Sequence, residues 1–269
     1  MINTAKEIMK DHWRYRKQIW KLALNDMKKE YKGAMLGPAW ILAKPAIRIF
    51  VYYFAFAIGL RQGSPVEGFP KFLWLLCGLV PWFYMQNMIP GGSSALRRYT
   101  YLITKIKYPI STIPTFVNLS FFLVHCLLEV VVICIFTAMG YPPDIYLLQL
   151  PLYMLMLFLF SNMWGLFAGM LGAISRDFVN FMKSITIAFF WLSGILYDSN
   201  KIKVHWLRRV MGWNPVTIMV NGYRNCFVYK RWVWETPHAM RNFWILFFLL
   251  TLLALWTYRK THKDIPDVL

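Results

Sequence analysis

Charged side chains are scarce in this chain: they make up 16% of 269 residues while 58% are hydrophobic, against roughly 25% charge in an ordinary soluble domain. A soluble globular domain is thereby excluded. No G-x-x-x-x-G-K-S/T phosphate loop occurs, and Gly91-Gly92-Ser93-Ser94 lacks both the lysine and the helix context that such a loop needs. H-E-x-x-H, G-x-S-x-G and Cys-x-x-Cys are absent as well, which leaves metalloprotease, serine hydrolase and dithiol chemistry without a sequence basis. Cys77, Cys126, Cys134 and Cys226 lie far apart and mostly inside apolar runs, so they read as packing residues and offer neither a metal spacing nor a disulfide framework. His12, His125, His205, His238 and His262 are scattered, where an interfacial transferase would need clustered histidines or carboxylates. No metal or cofactor is expected on this chain. The charged start holds no apolar h-region, so no cleaved leader is expected and the first apolar run serves as its own insertion signal.

What fills the chain instead is a series of long apolar runs, at 36–60, 72–91, 112–139, 146–174, 179–197 and 242–258. Each approaches or exceeds the roughly 17 to 25 residues that carry a helix across the hydrocarbon. The expectation is an all-α integral membrane protein: a cytoplasmic arm over 1–34, then a six-span domain over 35–269. Six spans put both termini on one side. Eighteen of the 30 basic residues fall in the arm, the second-to-third connection, the fourth-to-fifth connection and the tail, which the positive-inside rule makes cytoplasmic. The segment 198–241 falls outside on this topology despite eight basic residues. It contains Trp206, Trp213, Trp232, Trp234 and the helix-breaking Asn214-Pro215, and no run long enough to cross. Short re-entrant or interfacial helices forming an outer gate or cap are expected there.

In the arm, Lys10, Arg14, Lys17, Lys21, Lys28 and Lys32 recur at steps of three, four or seven and form one basic stripe on a helix. Ile8, Tyr15, Ile19, Leu22, Ala23, Met27 and Tyr31 fall mostly away from it, as an amphipathic helix in the membrane plane requires. The stripe either attracts anionic headgroups or docks a cytoplasmic partner. The second basic patch, 96–109, interleaves Arg97, Arg98, Lys105 and Lys107 with Tyr99, Tyr101 and Tyr108. It reads equally as an interfacial anchor for two helix ends or as a short helix pushed by a motor.

Lys44, Arg48, His125 and Glu129 are the candidates among ionisable residues inside the spans, where an unpaired charge costs at least ~2.5 to 3.5 kcal/mol. Lys44 and Arg48 sit near the cytoplasmic end of the first span, with Pro45 between them loosening the helix. His125 and Glu129 share a face of the third span at the i, i+4 spacing, so local pairing or a Glu129 to Arg48 contact is one expectation and a proton relay the other. Phe50, Tyr53, Phe54, Tyr84, Trp191 and Tyr197 belong to an aromatic surplus that lipid packing explains for the most part. A subset facing a shared cavity would make a low-specificity lining on which sugar faces stack.

The run Tyr31-Lys32-Gly33-Ala34-Met35-Leu36-Gly37-Pro38-Ala39-Trp40-Ile41-Leu42-Ala43-Lys44-Pro45 resembles the start of the first span in permease subunits of bacterial ABC exporters for lipid-linked polysaccharides. Arg176-Asp177 is similar to that family's Arg-Asp pair in the fourth-to-fifth connection, and Asn214-Pro215 with Tyr223-Arg224 to its outer Asn-Pro and arginine element. Within the family the likeness is nearest to wall teichoic acid exporters, through Phe56, Gly59, Arg61, Pro65, Gly68, Pro70, Trp74, Gly78, Trp82 and Phe83, and through Pro109 to Pro114. Lys44, Arg48 and Pro38 depart from the family pattern at the inner mouth.

The resemblance implies a non-enzymatic permease in the bacterial cytoplasmic membrane that flips or extrudes polyprenyl-diphosphate-linked teichoic acid, or in the alternative lipid-linked O-antigen or capsular polysaccharide. It implies a homodimer docked on two copies of a cytoplasmic ABC ATPase that binds the ATP and Mg, surrounded by membrane lipid and without a nucleic-acid partner. Lys44, Arg48, Phe50, Tyr53, Phe54, Tyr84, Trp191 and Tyr197 become candidates for the substrate path. Lys21, Lys28, Arg97, Arg98, Tyr101, Lys105, Arg176 and Asp177 become candidates for ATPase coupling, and Asn214, Pro215 and Arg224 for the outer gate. A proton-coupled secondary transporter using His125 and Glu129 is the more distant reading, and no inverted internal repeat supports it.

Overall fold

The structure, a computed structural model, describes residues 1–29, 32–55 and 64–269. Positions 56–60 of the first apolar run, with Tyr31, Phe56, Gly59 and Arg61 of the family motifs, lie outside the described residues. The described residues form helices α1 (Ile2–Lys29), α2 (Trp40–Tyr53), α3 (Lys71–Arg98), α4 (Thr100–Thr104), α5 (Thr112–Ala138), α6 (Leu150–Ile174), α7 (Arg176–Leu192), α8 (His205–Met211), α9 (Pro215–Arg224), α10 (Pro237–Thr261) and α11 (Ile265–Val268). The described residues hold no strand beyond an isolated bridge between Val66 and Phe69.

Four described stretches are long and apolar enough to cross a membrane: 71–98, 112–138, 145–174 and 237–261. They occupy the second, third, fourth and sixth apolar runs. The first run appears as α2, only 14 residues within the described part, and the fifth as α7, 17 residues that begin three positions before the apolar run and stop at Leu192. At about 1.5 Å per residue these two helices fall short of the hydrocarbon thickness by themselves, so the described residues carry four clear spans where six are expected.

Local chemistry sets the helix starts. Asn214 caps α9 by accepting from the Val216 amide at 2.9 Å, with Pro215 in the first helical position where its missing N–H costs nothing. Ser175 caps α7 through the Phe178 amide, and Asp144 accepts from the Tyr146 amide at 3.1 Å to open the 3-10 turn leading into α6. Pro237 occupies the first turn of α10.

Packing divides into two apolar clusters. One, at the end away from the arm, joins the first half of α3 to α9 and to the distal half of α5, the first half of α6 and Phe243 of α10. The other joins α1 to Ala95, Leu96, Tyr99 and Leu102, to the start of α5 and to the last turns of α6 and α10. The arm is therefore part of the folded body. It buries Thr4, Ile8, Ile19 and Ala23, while His12 bonds Thr115 Oγ1 at 2.7 Å and Tyr15 meets Tyr108 edge to face at 5.2 Å. Ile2, Met9, Trp13 and Trp20 stay exposed on a different face from the basic stripe.

Helix α3 is the axis of the bundle, and its approach to α6 is set by glycine. Gly92 stands against Gly165, a Cβ at Gly169 would lie 3.2 Å from the Gly92 carbonyl oxygen, and one at Gly172 would collide with the carbonyl oxygen of Ser93. The Gly-Gly-Ser-Ser sequence thus serves close helix contact, as small residues do between membrane helices.

Candidate functional site

The candidate path residues fall on or just past the ends of two lightly covered helices, with one at a buried position and Tyr197 in the turn beyond α7. Helix α2 buries none of its residues. Its exposed side chains include Ile47, Phe50, Val51 and Phe54, at helical spacing, and the Phe50 and Phe54 rings stack at 6.3 Å. Helix α7 buries only the stripe Val179, Met182, Thr186 and Phe190, and exposes Phe181, Ile187 and Trp191. Tyr52 joins the two helices by meeting Phe190 at 5.1 Å, while Tyr53 packs edge-on to Phe72 at 5.3 Å. Tyr197 is at the surface beside Met211. Tyr84 differs, being buried with its hydroxyl bonded to Asn118, whose amide reaches the Phe158 carbonyl at 3.1 Å.

Lys44 and Arg48 project from α2 and are exposed. Arg48 reaches Gln86 Oε1 at 3.4 Å and stands 5.8 Å from the centre of the Phe83 ring. His125 and Glu129 are buried, with Nε2 of His125 3.8 Å from Oε1 of Glu129 and 2.8 Å from the Tyr223 hydroxyl. The two side chains on α5 are neighbours at 3.8 Å, beyond hydrogen-bond reach, the histidine bonding Tyr223 instead, and Arg48 turns to Gln86 of α3 and not to Glu129. Tyr223 was not legible as the third member, because no spacing rule connects positions 98 residues apart.

At the end away from the arm, Asn214, Pro215 and Arg224 meet in one clamp. Asn214 Nδ2 donates to Ser193 Oγ at 2.8 Å and Thr217 Oγ1 to the Ser193 carbonyl at 3.1 Å. Arg224 is fully buried, donating to the carbonyls of Gly194 and Ile195 at 2.8 and 2.5 Å while its guanidinium lies 3.5 Å from the centre of the Trp74 ring. The planar fork satisfies two turn carbonyls and stacks at once, which a lysine cannot do. With ten residues, α9 is too short to span and sits inside the bundle, so this part of 198–241 is core and not only a cap. Trp206, Trp213 and Trp234 remain exposed around it.

At the arm end the coupling candidates separate into inward and outward groups. Arg97 donates to the Gly172 and Ala173 carbonyls at 2.6 and 2.7 Å, capping the last turn of α6. Arg98 faces Asp26 at 3.8 Å. Tyr101 and Lys105 are exposed, as are Lys21, Lys28, Arg176 and Asp177. Ile106, 60% exposed between Lys105 and Lys107, adds an apolar tip to this surface. Asp26 itself escaped the sequence reading. Its carboxylate accepts from the Tyr99 hydroxyl and from Ser120 Oγ at 2.8 Å, tying the arm to the α3–α4 junction and to α5. Burial, together with that carboxylate, pushes the Tyr99 hydroxyl well above the ordinary phenol range, so it remains a neutral donor.

A protein-family profile described as ABC-2 type transporter matches residues 17–228. The chain is 25% identical over 235 residues to the O-antigen export system permease protein RfbA of Myxococcus xanthus, covering 86% of each chain. It is also 25% identical over 251 residues to a protein of the same name from Klebsiella pneumoniae, covering 91% of this chain and 92% of that one.

Proposed function

Because the chain belongs to the ABC-2 type transporter family, we propose that it is the membrane-spanning subunit of an ATP-driven exporter of lipid-linked polysaccharide. The energy source sits on a separate ATPase, two copies of which bind the ATP and Mg, since this sequence contains no phosphate loop. The polymer is a chain of the O-antigen type: relatives matched over most of their length bear that name, and they favour it over the teichoic acid suggested by the short motifs.

The observation that carries this reading is the pair of aromatic faces left bare by α2 and α7. In a homodimer those faces line a lateral path in which rings stack on sugars while the prenyl tail stays in lipid. The basic end faces the cytoplasm, where the exposed Tyr101, Lys105 and Ile106 seat the short helix α4 on the ATPase. The Asn214–Arg224 clamp holds the outer end of the path.

Reconstitution with the ATPase subunits tests it directly. Liposomes containing the complex should translocate lipid-linked O-antigen polymer on addition of ATP and Mg, in preference to lipid-linked teichoic acid. Solute movement by this chain alone under an ion gradient would overturn the exporter reading. Lys105→Glu combined with Tyr101→Phe should reduce ATPase copurification or polymer-coupled hydrolysis at least several-fold, because both lie on the exposed tip and the phenylalanine keeps the ring that meets Tyr99 at 6.3 Å.

A further inference from the structure

Between the start of α6, α9 and the turn that opens α10, at the end away from the arm, the bundle encloses a chamber of about 280 Å³. That is far above the ~10–15 Å³ that admits a single water. Among the described residues none from α2 or α7 lines it, so it lies apart from the proposed path. Gly222 shapes one wall: a Cβ there would collide with the Tyr153 ring, which therefore lies against α9. The Tyr153 hydroxyl falls near Asn225 and Thr236, which line the chamber as well.

Two buried polar atoms of this lining lack a partner among the described residues. The hydroxyl of the fully buried Tyr153 completes no hydrogen bond, and neither does Asn221 Oδ1, although Nδ2 of the same amide donates to Ser199 Oγ at 3.0 Å. A buried acceptor left without a donor costs about 1–3 kcal/mol, so a ligand rich in N–H donors suits the chamber. Its rim carries both signs of charge, Glu67 and Asp198 against Lys201 and Arg231. Asp198 is already engaged with Tyr229, and Glu67 is the carboxylate that can meet a cation. A ligand of one sign meets like charge on such a rim, whereas a zwitterion is complementary to it. Trp206, Trp213 and Trp234 are exposed around this end, as aromatic residues are at the headgroup level of a bilayer. Met240 of the chamber wall is followed at i+4 and i+8 on α10 by the exposed Trp244 and Phe248, so an acyl chain can run along the helix from a headgroup seated in the chamber.

We propose that this chamber binds the headgroup of a zwitterionic phospholipid with a primary ammonium, phosphatidylethanolamine, in the leaflet opposite the arm. The ammonium donates to Asn221 Oδ1 and to the Tyr153 hydroxyl beside Glu67, and the phosphate lies at the rim on Lys201 and Arg231. So seated, the lipid bridges α6, α9 and the turn before α10, and it stabilises the protein as any ligand specific for the folded state does. It is a resident of the membrane and not the cargo, and the site does not rest on the exporter reading above.

Native mass spectrometry on the purified protein, with the subunits that copurify, tests the site in nanodiscs holding mixed lipids of matched chains. Phosphatidylethanolamine should be retained about tenfold more tightly than phosphatidylcholine, which has the charge but no N–H, or phosphatidylglycerol, which has no cation. The thermal midpoint should rise with its content. Tyr153→Phe and Asn221→Leu should each weaken retention by about tenfold, the factor expected from losing a hydrogen bond to a charged group. Asn221→Asp, which adds a carboxylate beside the ammonium, should tighten it, and Lys263→Gln at the far end should leave it as it was. Phosphatidylcholine held as tightly overturns the ammonium, and phosphatidylglycerol held as tightly overturns the zwitterion. Retention unaltered in both Tyr153→Phe and Asn221→Asp overturns the chamber as the site. Displacement of the lipid by soluble O-antigen oligosaccharide hands the chamber to a sugar and overturns the lipid as its occupant.

Discussion

Gly172 allows no side chain at all, because a Cβ there would occupy the position of the Ser93 carbonyl oxygen on α3. Gly172→Ala should therefore destabilise the protein by more than the ~1–3 kcal/mol typical of overpacking, read as a lowered thermal midpoint in detergent, since the obstacle is backbone and cannot rotate away. A midpoint equal to the wild type would show that the two helices are not this close. Arg224 is the complementary case, a large side chain whose loss leaves the Gly194 and Ile195 carbonyls without donors. Each buried orphan costs about 1–3 kcal/mol. Arg224→Met should destabilise the turn after α7 and expose it to proteolysis, and Arg224→Lys should rescue little because it cannot reach both carbonyls and stack on Trp74 together. A lysine variant with full protease resistance would contradict the two-carbonyl role.

At the scale of elements, Asp26 is the joint through which α1, the α3–α4 junction and α5 meet. A force applied to α4 reaches α5 through Tyr99, Asp26 and Ser120, and Tyr99 also packs edge-on to Phe116 at 4.8 Å. Asp26→Asn keeps the shape but loses the charge that strengthens both hydroxyl donations. The expected result is ATP hydrolysis that continues while the polymer moved per ATP falls several-fold, with the ATPase still bound. An unchanged ratio in Asp26→Asn and in Tyr99→Phe would remove this joint from the coupling route.

At the scale of the whole molecule, the proposed exporter reading sets a second copy against the bare faces of α2 and α7. The complex should contain two chains of 31.9 kDa each, and Trp191→Cys should crosslink one copy to another under mild oxidation, whereas Trp206→Cys on α8 should not. A monomeric complex that still exports polymer would leave those faces to lipid and end the shared-path reading.

The apolar runs located the four long helices, with ends off by as much as seven residues at α3, because period and length report directly on contact with hydrocarbon. The basic stripe of α1 was legible for the same reason, as was the i, i+4 proximity of His125 and Glu129. The family motifs carried the class of function, which the ABC-2 type transporter profile over residues 17–228 bears out at the level of the family. Only the tertiary structure decided which apolar face of α1 is buried, that Arg97 caps α6, that Asp26 joins three elements, and that Gly91-Gly92-Ser93-Ser94 belongs to a helix contact. Those outcomes depend on partners 70 or more positions away along the chain. Hydropathy is a property of each residue against its solvent, whereas a hydrogen bond or a close helix approach is a property of two distant segments brought together.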